Sequence, residues 1–365
     1  VKMSFFENGG GKGAIVNSGE VTLNGGTFKR SAEKGTYSPY GNGGNSWYTI
    51  ANYGTMEINT GVTVKNAGGY SSMIRNGSDR VTANCYLTIK GGNFAGGINT
   101  VKNDRFGVLT INGGNFSNTA QYVIMNWNKA EITAGTFQTL DTASAVLFTS
   151  AYDSDANTVG NLTISGGEFK HASDTQEMIV DHYDESNKGN AVVTGGKFDA
   201  DISKYIPTDY VQSADGTVEK LGETNAVAKV GDTYYKTLAD AVAAADNNTV
   251  TLLKDVTADI TIPAGKTMTL DLNGKTLTNV NDHTILNNGN LTITGTGKVD
   301  NISHAKGALY NKGTVVVNGG TFDRSKENGK TSNDSGSNSW YTIKNVGSMT
   351  IHDGATLQTA GNNTT

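Results

Sequence analysis

Charge is scarce in this chain. Of its 365 residues only 17% are Lys, Arg, Asp or Glu, with Lys+Arg 29 against Asp+Glu 34 and a formal net charge of -5. That composition is too poor in charge for a coiled coil, and a weak negative balance offers no basic field to hold nucleic acid. The single cysteine, Cys85, cannot close an internal disulfide, and no Cys/His cluster has zinc spacing. No metal and no cofactor are therefore expected, and packing and hydrogen bonds must stabilise the fold. No apolar run approaches the roughly 18 residues of a membrane span. The first residues carry no cleavable signal pattern and the last carry no anchor motif.

Glycine is abundant, at 47 residues, and it is distributed in a pattern. Gly13-Ala-Ile-Val-Asn-Ser-Gly-Glu-Val-Thr-Leu-Asn-Gly-Gly-Thr-Phe28 recurs as Gly307-Ala-Leu-Tyr-Asn-Lys-Gly-Thr-Val-Val-Val-Asn-Gly-Gly-Thr-Phe322, an offset of 294. Asn45-Ser-Trp-Tyr-Thr-Ile50 recurs at Asn338, an offset of 293. The chain thus holds about one and a quarter copies of a long unit, and both ends fall inside the repeat, as expected for a piece of a longer array.

Each unit contains a shorter, degenerate repeat. One half is an Ile-x-Asn step: Ile15/Asn17, Ile50/Asn52, Ile74/Asn76, Val101/Asn103, Ile124/Asn126, Ile285/Asn287, Leu309/Asn311 and Ile343/Asn345. Phe148/Ser150 and Ile179/Asp181 are assigned to the same slot. The other half is an alternating strand ending in Gly-Gly-x-Phe, at Phe28, Phe94, Phe116, Phe169, Phe198 and Phe322. Period-two alternation, as in Leu87-Thr88-Ile89, gives short strands with one apolar face. Glycines two residues beyond the asparagines (Gly19, Gly54, Gly289, Gly313, Gly347), with Asn128 in one coil, are expected to turn sharp corners at positive φ. Stacked coils would set Asn17, Asn52, Asn76, Asn103 and Asn126, then Asn287, Asn311 and Asn345, in an inward-facing ladder, with the phenylalanines stacked likewise.

The pattern lapses after Phe198. Residues 205–218 read as a terminal strand with an Asp-Gly turn, and residues 220–224 as a linker. The run from Thr237 to Asp246 is the one convincing helix, with Thr237 as N-cap, Asp240 completing a capping box, and Leu238, Ala241, Val242 and Ala245 on one face. This helix is expected to cap the open end of the second solenoid. The expected domains are residues 1–222, the later part of one β-helix unit, and residues 223–365, the beginning of the next. The predicted fold is all-β: parallel β-helix units in tandem with a short capping helix between them.

The run Ala226-Val-Ala-Lys-Val-Gly-Asp-Thr-Tyr-Tyr-Lys-Thr-Leu-Ala-Asp-Ala-Val-Ala-Ala-Ala245, with Thr249-Val-Thr-Leu-Leu-Lys-Asp-Val256, resembles the opening of right-handed β-helix modules in large surface proteins of Gram-positive gut bacteria. The Leu-Thr-Ile and Gly-Gly-x-Phe coils are similar to the bodies of those modules. The resemblance implies a right-handed coil and an extracellular, cell-surface or secreted, adhesin-like protein that carries no catalytic residues. Its partners would be a host glycan, a host protein or neighbouring copies of the repeat.

Candidate chemistry lies in the insertions. Asp153 and Asp155, with Asp181, His182, Asp184 and Glu185 one coil later, are the acidic clusters a polysaccharide-cleaving β-helix would need, although solvated loop carboxylates are the commoner outcome. Tyr37, Tyr40, Trp47 and Trp127 are candidate binding aromatics. Trp47 recurs as Trp340 at a matched position, which favours packing at the base of the insertion over binding, while Trp127 has no counterpart and is expected to be exposed. Cys85 shares the inward face of Leu87 and reads as an inert buried thiol. Because residues 31–44 share little with residues 325–337, any binding is expected to map to these insertions.

Overall fold

An Ile-x-Asn step places its first and third side chains on one face of a strand, and a Leu-Thr-Ile step does the same with two apolar groups. The computed structural model describes residues 5–8 (backbone only), 13–30, 48–66, 71–140, 145–152, 159–173, 176–303, 305–325 and 341–358. Tyr37, Tyr40, Trp47, Asp153, Asp155 and Trp340 lie outside these described residues. The chain divides into two units, Val1–Lys220 and Leu221–Thr365.

In the first unit two parallel sheets alternate along the chain. The short strands Ile15–Asn17, Ile50–Asn52, Ile74–Asn76, Asn99–Asn103, Tyr122–Asn126, Ala145–Thr149 and Glu177–Val180 stack in sequence order into one of them, the asparagine sheet. The longer strands between them, among them Glu20–Arg30, Thr55–Asn66, Gly107–Asn118, Lys129–Thr139, Asn161–Lys170 and Asn190–Phe198, stack in the same order into the other. Successive parallel strands of one sheet need a crossover connection, so the backbone visits both sheets in each circuit. Two antiparallel strands, Thr217–Lys220 and Tyr210–Gln212, close the last edge of the long sheet, with Gly216 at positive φ in the turn between them.

The second unit stacks its coils into three sheets, parallel except at the start of one, where the strands Ala228–Val230 and Thr233–Tyr235 join antiparallel. Its asparagine sheet holds Ile260–Ile262, Ile285–Asn287, Leu309–Asn311 and Ile343–Asn345. The helix Leu238–Ala244 packs at its start, burying Leu238, Ala241, Val242 and Ala245. Thr237 Oγ1 accepts the Asp240 N–H at 3.1 Å and donates to the Asp240 carboxylate at 2.6 Å, which satisfies one of the helix's orphan donors. The reciprocal bond of the expected capping box is replaced by this hydroxyl contact.

The expected role of the corner glycines is corrected. Gly19, Gly54, Gly289, Gly313 and Gly347 are absent from the positive-φ glycines, and Asn128 likewise keeps an ordinary backbone. Gly54 and Gly313 are needed for closeness instead: a Cβ on Gly54 would drive into the carbonyl of Gly19, and one on Gly313 into that of Gly289. Positive φ belongs to the second glycine of the Gly-Gly pairs, for example 107° at Gly26 and 114° at Gly114, where the long strand bends before its phenylalanine.

Those bends bring the phenylalanines inward. Phe94, Phe116, Phe137, Phe169 and Phe198 form a column of near-parallel rings with centroids 4.6, 4.9, 4.8 and 4.5 Å apart. Phe28 lies outside the column because Val64 occupies the intervening coil. The asparagines make a second column. Asn17 Nδ2 donates to Asn52 Oδ1 at 2.8 Å, Asn52 to Asn76 at 2.8 Å, Asn76 to Asn103 at 2.9 Å, and Asn103 to Asn126 at 2.8 Å. In the second unit Asn287 donates to Asn311 at 2.7 Å and Asn311 to Asn345 at 2.6 Å. Asn345 itself is exposed, at the last described coil. One coil in the first unit departs from the assigned register. Asn126 pairs with Thr149, whose hydroxyl takes its amide at 3.0 Å, so the slot assigned to Phe148/Ser150 is occupied by Leu147/Thr149.

Candidate functional site

With the first and third residues of each short strand turned inward, the middle residue faces out. Pairing across the first unit lines these middle residues up as Val16, Ala51, Arg75, Lys102, Met125, Phe148 and Val180. The residue after each asparagine begins a flanking column that includes Asp104 and Trp127. The outer wall of the asparagine sheet therefore collects side chains that the ladder leaves unconstrained.

On coils two to four the wall is charged. Asp104 is fully buried, and its carboxylate lies 2.6 Å from the Arg75 guanidinium and 3.1 Å from Lys102 Nζ. Arg75 also sits over the Tyr48 ring, 5.2 Å from its centroid, and reaches the half-exposed Asp79 at 3.5 Å. A fully buried carboxylate engaged by two cations presents no lone pair to solvent. Asp104 therefore serves to fix Arg75 and Lys102.

On coils five to seven the wall is aromatic. Trp127 packs edge-on against Phe148 at 4.9 Å and against Tyr152 at 5.8 Å, with Tyr183 tilted over it at 5.8 Å. Tyr122 covers the other side of Phe148 at 4.9 Å, and Arg105 lies 5.7 Å from the Tyr152 centroid. The expected exposure of Trp127 is thus corrected. Its ring is half-buried because neighbouring coils supply aromatic partners, and its indole N–H is enclosed with no acceptor among the described residues. Tyr183 remains 69% exposed. Burial raises the Tyr48, Tyr122 and Tyr152 phenols above their ordinary range, so all three stay neutral hydroxyls.

Tyr183 reaches this place on a hairpin of strands His182–Asp184 and Asn187–Lys188 that departs from the parallel stack. Ser150 anchors it, its hydroxyl donating to Asn187 O at 2.6 Å and accepting the Tyr183 N–H at 2.9 Å. Asp184 closes the turn by accepting from the Ser186 and Asn187 N–H groups at 2.9 and 3.0 Å. Asp181 takes Lys204 at 2.8 Å and His182 at 3.0 Å. Burial opposes the Asp181 charge, but those two bonds outweigh it and hold the carboxyl below the usual range. Glu185 is almost wholly exposed. Asp181 and Asp184 are thereby occupied in holding the hairpin that presents Tyr183.

Sequence reasoning missed the aromatic partners of Trp127, since Phe148, Tyr152 and Tyr183 come from separate coils and only the register joins them. It also missed Arg30 and Arg324, which occupy matched positions in the two copies, are both fully buried and both have bonding partners. The signal was available in the shared Phe-x-Arg following each Gly-Gly-x. Cys85 is buried in the core-facing column, and burial pushes its thiol pKa up.

Among the described residues no group of three or more His, Cys, Asp or Glu is placed to hold a metal ion, and no helix is long and apolar enough to cross a membrane. No protein-family model, curated protein or solved structure matches the chain.

Proposed function

We propose that this chain is part of a non-enzymatic, extracellular repeat protein: a surface stalk or adhesin built from right-handed parallel β-helix units that present insertions and outer walls for binding. The observation that carries this reading is the long repeat. Its two copies fall in separately packed units, each with the same asparagine ladder and each free to differ on the outside. Copy number adds reach and avidity, which serve adhesion more directly than catalysis. The right-handed sense rests on the resemblance at residues 226–256 and on the general handedness of parallel strand crossovers.

Carboxylate chemistry supports the same side. Every described Asp or Glu with a displaced proton affinity is displaced downward, from Asp181 and Asp184 to Asp282 and Asp300. A general acid for glycoside cleavage needs the opposite displacement. The second reading, a polysaccharide-binding or polysaccharide-cleaving β-helix, draws on the Trp127, Tyr152 and Tyr183 wall. A glycan array combined with a lyase and hydrolase screen on the same polymers separates the two. Binding without release of oligosaccharide is the expected result, and turnover of any polymer would overturn the non-enzymatic reading. Deleting residues 31–44 and 325–337 tests the insertions, since binding that survives the deletion belongs to the walls.

A further inference from the structure

Two corner residues are enough to carry the chain from a ladder position to the next long strand, as Tyr53 and Gly54 show between Asn52 and Thr55. From Asp181 to Asn190 the chain takes residues 182–189 instead, and this detour ends where it began. The Gly189 N–H donates to Asp181 O at 2.7 Å, the Asn190 N–H donates to Gly160 O at 2.8 Å, and the parallel stack resumes with Asn190 beside Asn161. The coil is closed without the hairpin of His182–Asp184 and Asn187–Lys188, so nothing in the scaffold demands it.

The hairpin is nevertheless braced at both ends, by Ser150 at its stem and by Asp184 at its turn. What it holds out is Tyr183. The ring leans on Trp127 at 55° with centroids 5.8 Å apart, its one ring contact among the described residues. A ring covered on both faces could not be 69% exposed, so the face turned away from Trp127 is open to solvent. The Tyr183 hydroxyl makes no hydrogen bond among the described residues. An aromatic ring left in water forgoes the stabilisation that burial would give it, so a braced and dispensable hairpin that keeps one there has a use outside the fold.

We propose that Tyr183, backed by Trp127, forms a binding site for a neutral saccharide, resting on the reading of the outer walls as ligand-presenting surfaces. The C–H face of one sugar ring stacks on the open face of Tyr183, and the sugar hydroxyls meet the phenol and the polar side chains of the hairpin. A protein partner is disfavoured because a protein interface draws on contiguous apolar anchors and roughly 800 Å² on each side, whereas here one exposed ring stands among Asp184, Glu185, Ser186, Asn187 and Lys188. Charge disfavours an acidic saccharide. Asp184 and Glu185 outnumber Lys188 on the hairpin, and Lys204, the cation nearest its stem, is engaged by Asp181 at 2.8 Å.

The test uses the full chain with Trp47→Phe and Trp340→Phe, which leaves Trp127 as the one reporter among the chain's three tryptophans. Cellohexaose, mannohexaose, maltohexaose and hexagalacturonate are titrated while the Trp127 emission is followed, with calorimetry as a second readout. At least one neutral hexasaccharide should bind and shift the emission, and hexagalacturonate should bind roughly tenfold more weakly or not at all. Tyr183→Ala should weaken binding at least roughly tenfold, the scale of a lost aromatic contact, while Tyr183→Phe keeps the stacking ring and should stay within about threefold. Tyr86→Ala removes another exposed tyrosine of the same unit and should leave binding unchanged. A melting curve confirms that each variant folds. Failure of all three neutral hexasaccharides to bind at millimolar concentration, an equal loss in the Tyr86 variant, or binding that survives Tyr183→Ala would overturn the site. Equal affinity for hexagalacturonate would overturn its preference for neutral sugars. None of these results bears on the stalk reading, which only polymer turnover overturns.

Discussion

Replacing Asn103 by alanine interrupts the ladder at its middle, and the cost can be worked from its bonds. The side chain is wholly buried and donates to Asn126 Oδ1 at 2.8 Å, to Lys129 O at 2.9 Å and to Gly107 O at 3.0 Å, while accepting Asn76 Nδ2 at 2.9 Å. Several neighbours keep a second partner. Asn76 Nδ2 also reaches Cys85 O and Val108 O, both at 3.1 Å, and Gly107 O still accepts from Asn128 at 2.9 Å. The net loss is then near two hydrogen bonds and a small void, about 2–4 kcal/mol. Asn103→Asp should cost more, about 3–5 kcal/mol, because a buried carboxylate would face three acceptors that formerly took its amide protons. Asn345→Ala, at an exposed position, should cost under about 1 kcal/mol. Hydrogen exchange read peptide by peptide keeps the two units separate in this measurement. The reasoning fails if Asn103→Ala costs no more than Asn345→Ala, or if the aspartate is tolerated as well as the alanine.

Further outcomes follow from other contacts. Gly313→Ala should destabilise the second unit by about 1–3 kcal/mol, because its new Cβ meets the Gly289 carbonyl, whereas Gly19→Ala, with open space around it, should be close to neutral in a melting experiment. Phe137→Ala, inside the ring column, should cost about 3–5 kcal/mol by urea unfolding. His283 is kept neutral chiefly by burial and accepts the Gly307 N–H at Nδ1 at 2.8 Å. Its folded pKa lies below the ordinary value of 6.5, so its contribution is fully present above that value and is lost as pH falls through the folded pKa. The second unit should therefore melt earlier at pH 5 than at pH 7.5, and His283→Gln should flatten that dependence. Thr237→Ala should remove about 0.5–2 kcal/mol from the helix that opens the second unit, seen as faster exchange at Asp240.

Sequence periodicity carried the strands, because a period of two decides which face of a strand is buried whatever surrounds it. It did not carry contacts between coils separated by insertions of differing length. Thr149 holds the ladder position because the coil from Ala145 enters one residue out of the assigned phase, which a polar triplet around Phe148 does not reveal. The corner glycines were misassigned for a related reason: a glycine kept for a positive φ and one kept for a passing carbonyl look identical in sequence. The Trp127 wall depends on Phe148, Tyr152 and Tyr183 arriving from later coils, so it appears only once the register is fixed.

In each ladder every amide points the same way. The Nδ2 of one coil reaches the side-chain oxygen of the next, Oδ1 of an asparagine or, after Asn126, the Thr149 hydroxyl, and Gly19 and Gly289, by donating their N–H groups to Asn17 Oδ1 and Asn287 Oδ1, prevent those amides from turning round. A stack built so has a sense, like an arrow drawn along its axis. A coil joining from the C-terminal side must arrive offering an acceptor, and one joining from the N-terminal side must offer a donor. Two such stacks meeting top to top would confront amino group with amino group at their centre, and meeting base to base would confront oxygen with oxygen. The order in which coils are laid down is thus chemically directional, and a chain emerging N-terminus first always presents the face that its next coil is made to accept.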